Sequence, residues 1–477
     1  MTKSSLMSSG AALAALVFFL ATLVTPPPAG LSVAGWHTLG VAVLMGVLWI
    51  SEAAPFAATA LLPLVLFPMA GVSSIQAAAA PYANPVIYLF LGGIFIALAM
   101  ERWNLHRRMA LAIIRRAGTR RQAMIGGFLA ASGFVSMWVN NTAVAVMMLP
   151  IGLSVLAVLG LEDEGPFATA LLLAIAYGSS IGGMATLVGT APNAILAGFL
   201  MENYGIQIGF LGWMAFALPL SVGLLVVAWI FLARISFRHP EEPIAGGEEL
   251  LEQEARKLGR LSGAEKGVAI VFLATAALWV GRGFFEEWIP WLSDSLIAMA
   301  GGLSLFFLPS DRSCKSRLLD WHTARRIPWD VLLLIGGGLS LASAIQSNGL
   351  AGWIGGLAAL AGFLPAAALV SLVVFLIVWL TEITSNSATT STFLPIVAAM
   401  AVGLGEPPLA FAAAVALASS CAFMLPVATP PNAIVFGSGK VPLRDMMRLG
   451  VVMNFACWII LSLWIGWLAP RMPGFAQ

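Results

Sequence analysis

The chain has 477 residues, 60% of them hydrophobic and 10% charged, with a formal net charge of +2 and a mean hydropathy of +0.94. Soluble domains carry about 25% charged residues, so a soluble fold is excluded, and a net charge this small gives no sign of a nucleic-acid partner. Apolar runs of about 17–25 residues recur along the length, the signature of membrane-spanning helices rather than of a β-barrel.

In chain order, eleven spans are predicted at 11–27, 35–51, 53–70, 84–101, 167–202, 213–234, 267–283, 292–309, 330–346, 407–439 and 449–469. The first follows Lys3 but lacks an Ala-x-Ala cleavage site and ends on Pro26-Pro27-Pro28, so it reads as a retained helix. Basic residues gather at 101–121 (Arg102 to Arg121), 234–266 (including Arg234, Arg238 and Lys266), 311–326 (including Arg312 and Lys315) and 440–448. Cytoplasmic loops collect Lys and Arg, which places the N-terminus in the cytoplasm and the C-terminus outside. Arg282 is a solitary exception among the basic-poor connections.

Residues 122–160 and 364–402 are too long for single spans, and each has polar residues near its middle. The first reads Ser136-Met137-Trp138-Val139-Asn140-Asn141-Thr142, the second Thr381-Glu382-Ile383-Thr384-Ser385-Asn386-Ser387. Asn141 and Asn386, like Pro150 and Pro395, stand 245 positions apart (386−141 and 395−150). A helix-turn-helix that enters and leaves on one side accounts for both stretches. Irregular backbone at that depth is tolerated where it is buried in protein or lines an aqueous cavity. A basic stretch precedes the first hairpin and an uncharged one, 346–363, precedes the second, so the two enter from opposite faces as inverted repeats. Phe90-Leu91-Gly92-Gly93 pairs with Leu334-Ile335-Gly336-Gly337 ahead of them.

Each hairpin is followed by a second interruption. Val188-Gly189-Thr190-Ala191-Pro192-Asn193 matches Val427-Ala428-Thr429-Pro430-Pro431-Asn432. Proline in mid-span breaks a helix, freeing carbonyls and N-terminal amides that build ion and anion sites. The four interruptions hold hydroxyls and carboxamides but no cationic side chain. Such oxygens suit Na⁺, while hydroxyls and helix N-termini suit a carboxylate or sulfate. A dianion bound without Lys or Arg calls for compensating cations. Glu382 is either a functional carboxylate or a brace for its hairpin. The four histidines, His37, His106, His239 and His322, lie near span ends or loops, and Cys314, Cys421 and Cys457 show no metal spacing, so neither a metal centre nor an organic cofactor is expected. No nucleophile elbow or His/Asp/Glu cluster points to an enzyme.

These motifs resemble the divalent anion/sodium symporter family (DASS), the dicarboxylate carriers. Gly178-Ser179-Ser180-Ile181-Gly182-Gly183 through Asn193, and Ala418-Ser419-Ser420-Cys421 through Asn432, are similar to the family's two long signatures. The resemblance implies an all-α polytopic membrane protein of about eleven transmembrane helices plus two re-entrant hairpins. It also implies an elevator-type homodimer that imports C4-dicarboxylates such as succinate, malate or fumarate with Na⁺ across the inner membrane of a bacterium. A sodium-independent exchanger, or a sulfate or tricarboxylate carrier, is the alternative. By motif position, one sodium site would use Ser136, Asn140, Asn141 and Gly189, the other Thr381, Thr384, Asn386 and Ala428. The substrate would meet Asn141, Thr142, Thr190, Ser385, Asn386, Ser387, Thr429 and Pro430. The family motif is Ser-Asn-Thr. Here it stands as Asn140-Asn141-Thr142 and Ser385-Asn386-Ser387, and Ala191 replaces a proline. The expected units are 1–121 (scaffold), 122–202 (first hairpin and broken helix, transport domain), 213–346 (scaffold and cytoplasmic loops), 364–439 (second hairpin and broken helix, transport domain) and 449–469 (last helix).

Overall fold

The computed structural model describes residues 3–159, 165–236, 243–285, 288–311, 316–359 and 365–468. Arg238, His239, Arg312, Cys314 and Lys315, named above, lie outside them, as do residue 160 of the first hairpin and residue 364 of the second. The described chain is helical, and eight of its helices are long and apolar enough to cross a membrane unaided.

The N-terminal part comprises α1 (Lys3–Val24), α2 (Val33–Ser51), α3 (Phe56–Ala60), α4 (Pro63–Met69), α5 (Ile75–Ala79) and α6 (Pro85–Arg102). The span expected at 53–70 is therefore split in two, with Pro63 opening its second piece. A proline lacks the N–H needed to continue the preceding turn. Beyond α6 comes α7 (Leu105–Ala117), within a stretch expected to be loop. Its buried Leu105, Ala110, Leu111 and Ile114 recur at helical spacing, while Arg115 and Arg116 are exposed and Arg107 and Arg108 are half-buried. High charge density hid that periodicity from a search for spans.

The first hairpin is α8 (Arg121–Ser136) and α9 (Asn141–Val158), and the first broken helix is α10 (Pro166–Gly183) and α11 (Ala191–Tyr204). Then follow α12 (Phe210–Ile230), α13 (Gly247–Lys257), α14 (Gly263–Phe285), α15 (Asp294–Phe307), α16 (Trp321–Ala324) and α17 (Trp329–Ser347). The uncharged α18 (Leu350–Ala359), also unexpected, occupies the place of α7 in the second half. The second hairpin is α19 (Ala366–Leu380) and α20 (Asn386–Gly403), and the second broken helix is α21 (Pro408–Ser419) and α22 (Pro430–Phe436), followed by α23 (Leu443–Leu468).

Packing repeats with the sequence. α6 lies against α15, and α17 against α3. A Cβ on Gly92 would collide with the Ala298 backbone, and one on Gly337 with the Ala60 backbone. The glycines that play the same part are thus Gly92 and Gly337, separated by 245 like the hairpins. The register expected from sequence, Gly92 with Gly336, is off by one residue, because consecutive glycines look alike until a neighbouring backbone distinguishes them. α12 packs on α8 and α10, and α23 on α19 and α21, so each closing helix covers its own hairpin and broken helix. A smaller core joins α1, α2, α3 and α4 with part of α17.

Candidate functional site

The four interruptions converge. α9, which starts at Asn141, packs on α22, and α20, which starts at Asn386, packs on α11. Each hairpin thus meets the far half of the other repeat's broken helix. The two breaks also touch, with Cys421 Sγ 4.0 Å from Met184 Sδ. The interruptions of both halves thus form one cluster.

At the first tip the Ser136 hydroxyl lies 2.6 Å from Asn141 Oδ1 and 2.7 Å from the Ser179 carbonyl oxygen. At the second, the Thr381 hydroxyl lies 2.8 Å from Asn386 Oδ1 and 2.7 Å from the Ser419 carbonyl oxygen. A hydroxyl has one proton, so in each cluster two acceptor oxygens face a single hydroxyl proton. Gly189 joins the first cluster. A Cβ placed on Gly183 would stand 2.7 Å from Asn141 Oδ1 and 3.2 Å from both Asn141 Nδ2 and the Gly189 carbonyl oxygen. Two oxygens therefore converge on a space that only glycine leaves open. At the matching position of the second half stands Ala422, whose Cβ is real.

The remaining expected residues divide. Asn140 is exposed and caps α9, its Oδ1 accepting the Thr142 N–H at 2.8 Å, so its side-chain oxygen is engaged locally rather than in the Ser136 cluster. Thr384 is buried, bonding the Leu380 carbonyl at 3.0 Å and the Thr389 hydroxyl at 2.6 Å. Thr142, Thr190, Ser385 and Ser387 are half-buried at the starts of α9, α11 and α20. Thr429 is buried and caps α22 through the Asn432 N–H, while Pro430 is exposed and Ala428 is buried.

Both breaks are held by one carboxamide each. Asn193 Nδ2 reaches the carbonyls of Gly183, Met184 and Thr186 at 3.3, 3.1 and 2.7 Å. Asn432 Nδ2 reaches those of Ala422 and Leu425 at 3.2 and 3.1 Å. Freed carbonyls must find donors when buried, which explains an Asn four residues past each Gly189/Ala428 position.

The halves differ in how hairpin and break are tied together. In the second, Glu382 is 1% exposed. Its Oε1 accepts from the Phe423 and Met424 N–H groups at 2.7 and 2.9 Å, and its Oε2 from Leu425 at 2.9 Å. Asn454 Nδ2 adds a fourth donor at 2.6 Å. Glu382 is therefore a brace for the unwound segment. In the first half the polarity reverses: Thr186, on the break, donates to the Met137 carbonyl at 2.6 Å and accepts from Gly189 N–H at 3.0 Å. Trp213 Nε1 then supports Met184 at 3.0 Å. Thr186, Trp213 and Asn454 were not singled out from sequence. A lone Asn within the apolar span 449–469 was the available signal.

The surroundings differ as well. Trp138 stacks on Phe210 and meets Phe272 edge-on at 4.9 Å, and Val188 lies against Gly93 of α6. Their repeat counterparts Ile383 and Val427 are 65% and 82% exposed. Among the described residues no group of His, Cys, Asp and Glu is placed to hold a metal ion.

Comparison with known proteins agrees with this architecture. The chain is 40% identical over 470 residues to the sodium-dependent dicarboxylate transporter SdcS of Staphylococcus saprophyticus, covering 96% of this chain and 91% of that one. It is 39% identical over 471 residues to SdcS of Staphylococcus aureus, covering 96% and 90%. Among solved structures it is similar in fold to the YdaH transporter of Alcanivorax borkumensis (TM-score 0.59, 16% identity, 99% of this chain and 100% of that one). It is likewise similar to MtrF of Neisseria gonorrhoeae (TM-score 0.57, 14% identity, 98% and 96%). The family described as the sodium:sulfate symporter transmembrane region matches residues 8–471, and the chain, an integral membrane protein, belongs to it.

Proposed function

We propose that this protein imports small dianions, C4-dicarboxylates such as succinate, malate and fumarate, together with Na⁺. The observation that carries the reading is the doubled acceptor-rich cluster, Ser136–Asn141–Ser179 and Thr381–Asn386–Ser419. A surplus of oxygens suits a hard cation, and bound cations offset the charge of a dianion where no Lys or Arg is near. Relatives named sodium-dependent dicarboxylate transporters support the choice of ion and substrate. In this reading Ser136, Asn141 and Gly189 contact one Na⁺, and Thr381, Thr384, Asn386 and Ala428 the other. Asn140 contributes by capping α9. Thr142, Thr190, Ser385, Ser387, Thr429 and Pro430 border the carboxylates, with Asn141 and Asn386 shared between ion and substrate.

The substrate moves by an elevator step. Residues 122–202 and 364–439 form the moving part together with α23 and with α12, which packs on α8 and α10 and so leaves the 213–346 scaffold expected from sequence; α1–α6 with α14–α17 form a scaffold that holds a homodimer in a bacterial inner membrane, N-terminus inside. The docking of Trp138 and Val188 while Ile383 and Val427 are exposed supports this: inverted repeats exchange such environments between two end states. Labelled succinate uptake into proteoliposomes tests the function. An inward Na⁺ gradient is expected to drive it, and Asn141→Ala or Asn386→Ala to abolish it in a protein that still folds. Uptake indifferent to the gradient but stimulated by internal dicarboxylate identifies an exchanger instead. Uptake of sulfate or citrate in preference to succinate overturns the substrate class.

A further inference from the structure

Between α8 and α12 lies an apolar cavity of about 410 Å³ that the transport reading does not use. Its α8 wall combines the small residues Gly126, Ala130 and Gly133 with Leu129, and its rim includes the exposed Phe134, Val222 and Val226. It runs from Trp229 to Leu218 on α12 and from Gly126 of α8 to Met137, the residue that caps that helix. Eleven residues of helix at ~1.5 Å each give a length of roughly 16 Å, close to half of a hydrocarbon core ~30 Å thick. The groove therefore has the length of one leaflet.

Its two ends differ in chemistry. At one end Trp229 donates to the Gln122 carbonyl at 3.0 Å, and the exposed Arg234 guanidinium lies over the Trp229 ring, 4.8 Å from its centroid. Trp and Arg at this depth mark a membrane interface, and the basic Arg120 and Arg121 begin the facing helix. At the other end the floor is Met137, Gly182 and Ala185, the outer side of the first hairpin tip and first break.

We infer that this groove binds a phospholipid with an anionic headgroup, one acyl chain lying between α8 and α12 and the phosphate beside Arg234. An apolar cleft in a membrane protein fills with hydrocarbon, and a cation at its interfacial end selects a negative headgroup. The chain end then rests against the backs of Gly182 and Met137, so the lipid supports the limb that carries Ser136.

The test uses the full-length protein in vesicles of phosphatidylcholine with a minor fraction of phosphatidylglycerol bearing a diazirine on its acyl chain. After photolysis, labelled residues are mapped by mass spectrometry. Labelling within 126–137 and 218–229 is expected to exceed that on the outward residues Ile270 and Leu273 of α14 severalfold. Ala130→Phe or Val222→Trp, each filling the groove from one wall, is expected to remove that excess. Arg234→Ala is expected to abolish the preference over a diazirine phosphatidylcholine while leaving α14 labelling unchanged. Groove labelling no greater than on α14 overturns the site, whether ordinary boundary lipid or a second protein copy covers it. A headgroup preference that survives Arg234→Ala overturns the assignment of the phosphate.

Discussion

The Ser136 and Thr381 hydroxyls each face two acceptor oxygens with a single proton, and at the first of these Gly183 keeps the neighbouring space open. Gly183→Ala would set a methyl 2.7 Å from Asn141 Oδ1. It is expected to raise the Na⁺ concentration for half-maximal uptake about tenfold, a change of ~1.4 kcal/mol; an unchanged Na⁺ dependence removes the cradle from the mechanism. Glu382 acts differently, because its carboxylate accepts three backbone N–H groups and the Asn454 amide in a site closed to solvent. Each buried donor left unpaired costs about 1–3 kcal/mol. Glu382→Ala is therefore expected to destabilise the fold by about 4 kcal/mol or more and so to lower the melting temperature sharply, and Glu382→Gln to do so by less since one acceptor oxygen remains. Equal melting temperatures for wild type and Glu382→Ala would contradict the brace.

At the scale of elements, α7 is the helix whose seating depends on pH. Arg107 binds Glu254 at 2.7 Å, Arg108 binds Glu265 at 2.8 Å, and Lys257 also reaches Glu254. The hydrogen bond from Lys257, aided by Arg107, holds the Glu254 carboxyl below the usual range. Burial pushes Glu265 up, and hydrogen bonds from Arg108 and Ser262 pull it down further. On the same helix, burial drives His106 down to about 4 against the upward pull of the Met100 carbonyl, and the charge of Arg107 lowers it too. All three folded values are depressed, so each contribution is complete above the group's unfolded value and is lost as pH falls through the folded one. For His106 the window runs from about 6.5, its unfolded value, down to about 4. For the two carboxyls it opens at about 4.3 and extends below. Hydrogen-exchange protection of residues 105–117, relative to the intrinsic rate at each pH, is expected to fall in these two stages on acidification. His106→Gln is expected to remove the upper stage alone; a single stage in the wild type would contradict the assignment.

At the scale of the molecule, the two halves share a design but occupy different environments. Val188 touches Gly93 of α6, with their β-carbons 3.1 Å apart if Gly93 had one, whereas its counterpart Val427 is exposed. A disulfide needs β-carbons about 3.5–4.5 Å apart, within a small adjustment of this pair. Gly93→Cys with Val188→Cys is expected to cross-link under oxidation and to stop transport until a reductant is added. Transport that continues in the fully cross-linked protein would exclude relative motion of α6 and the first break.

The sequence by itself determined the class, the two hairpins, the two broken helices and their pairing. Membrane burial forbids unsatisfied polar groups, so Asn141, Asn386, Asn193 and Asn432 stand out against an apolar background, and repetition at a near-constant interval makes them conspicuous. Loop charge determined the expected inversion in the same one-dimensional way. Tertiary structure decided what no interval encodes. It showed that each hairpin meets the other repeat's break, that Glu382 is held by amides from a segment 41 to 43 positions away, and that Asn140 caps a helix while Ser136 faces the cluster. It selected Gly337 over Gly336, split the span at 53–70 and found α7 and α18. Each of these rests on which atoms become neighbours after packing, and residues with the same polarity in sequence are separated only by the direction their side chains take in the folded protein.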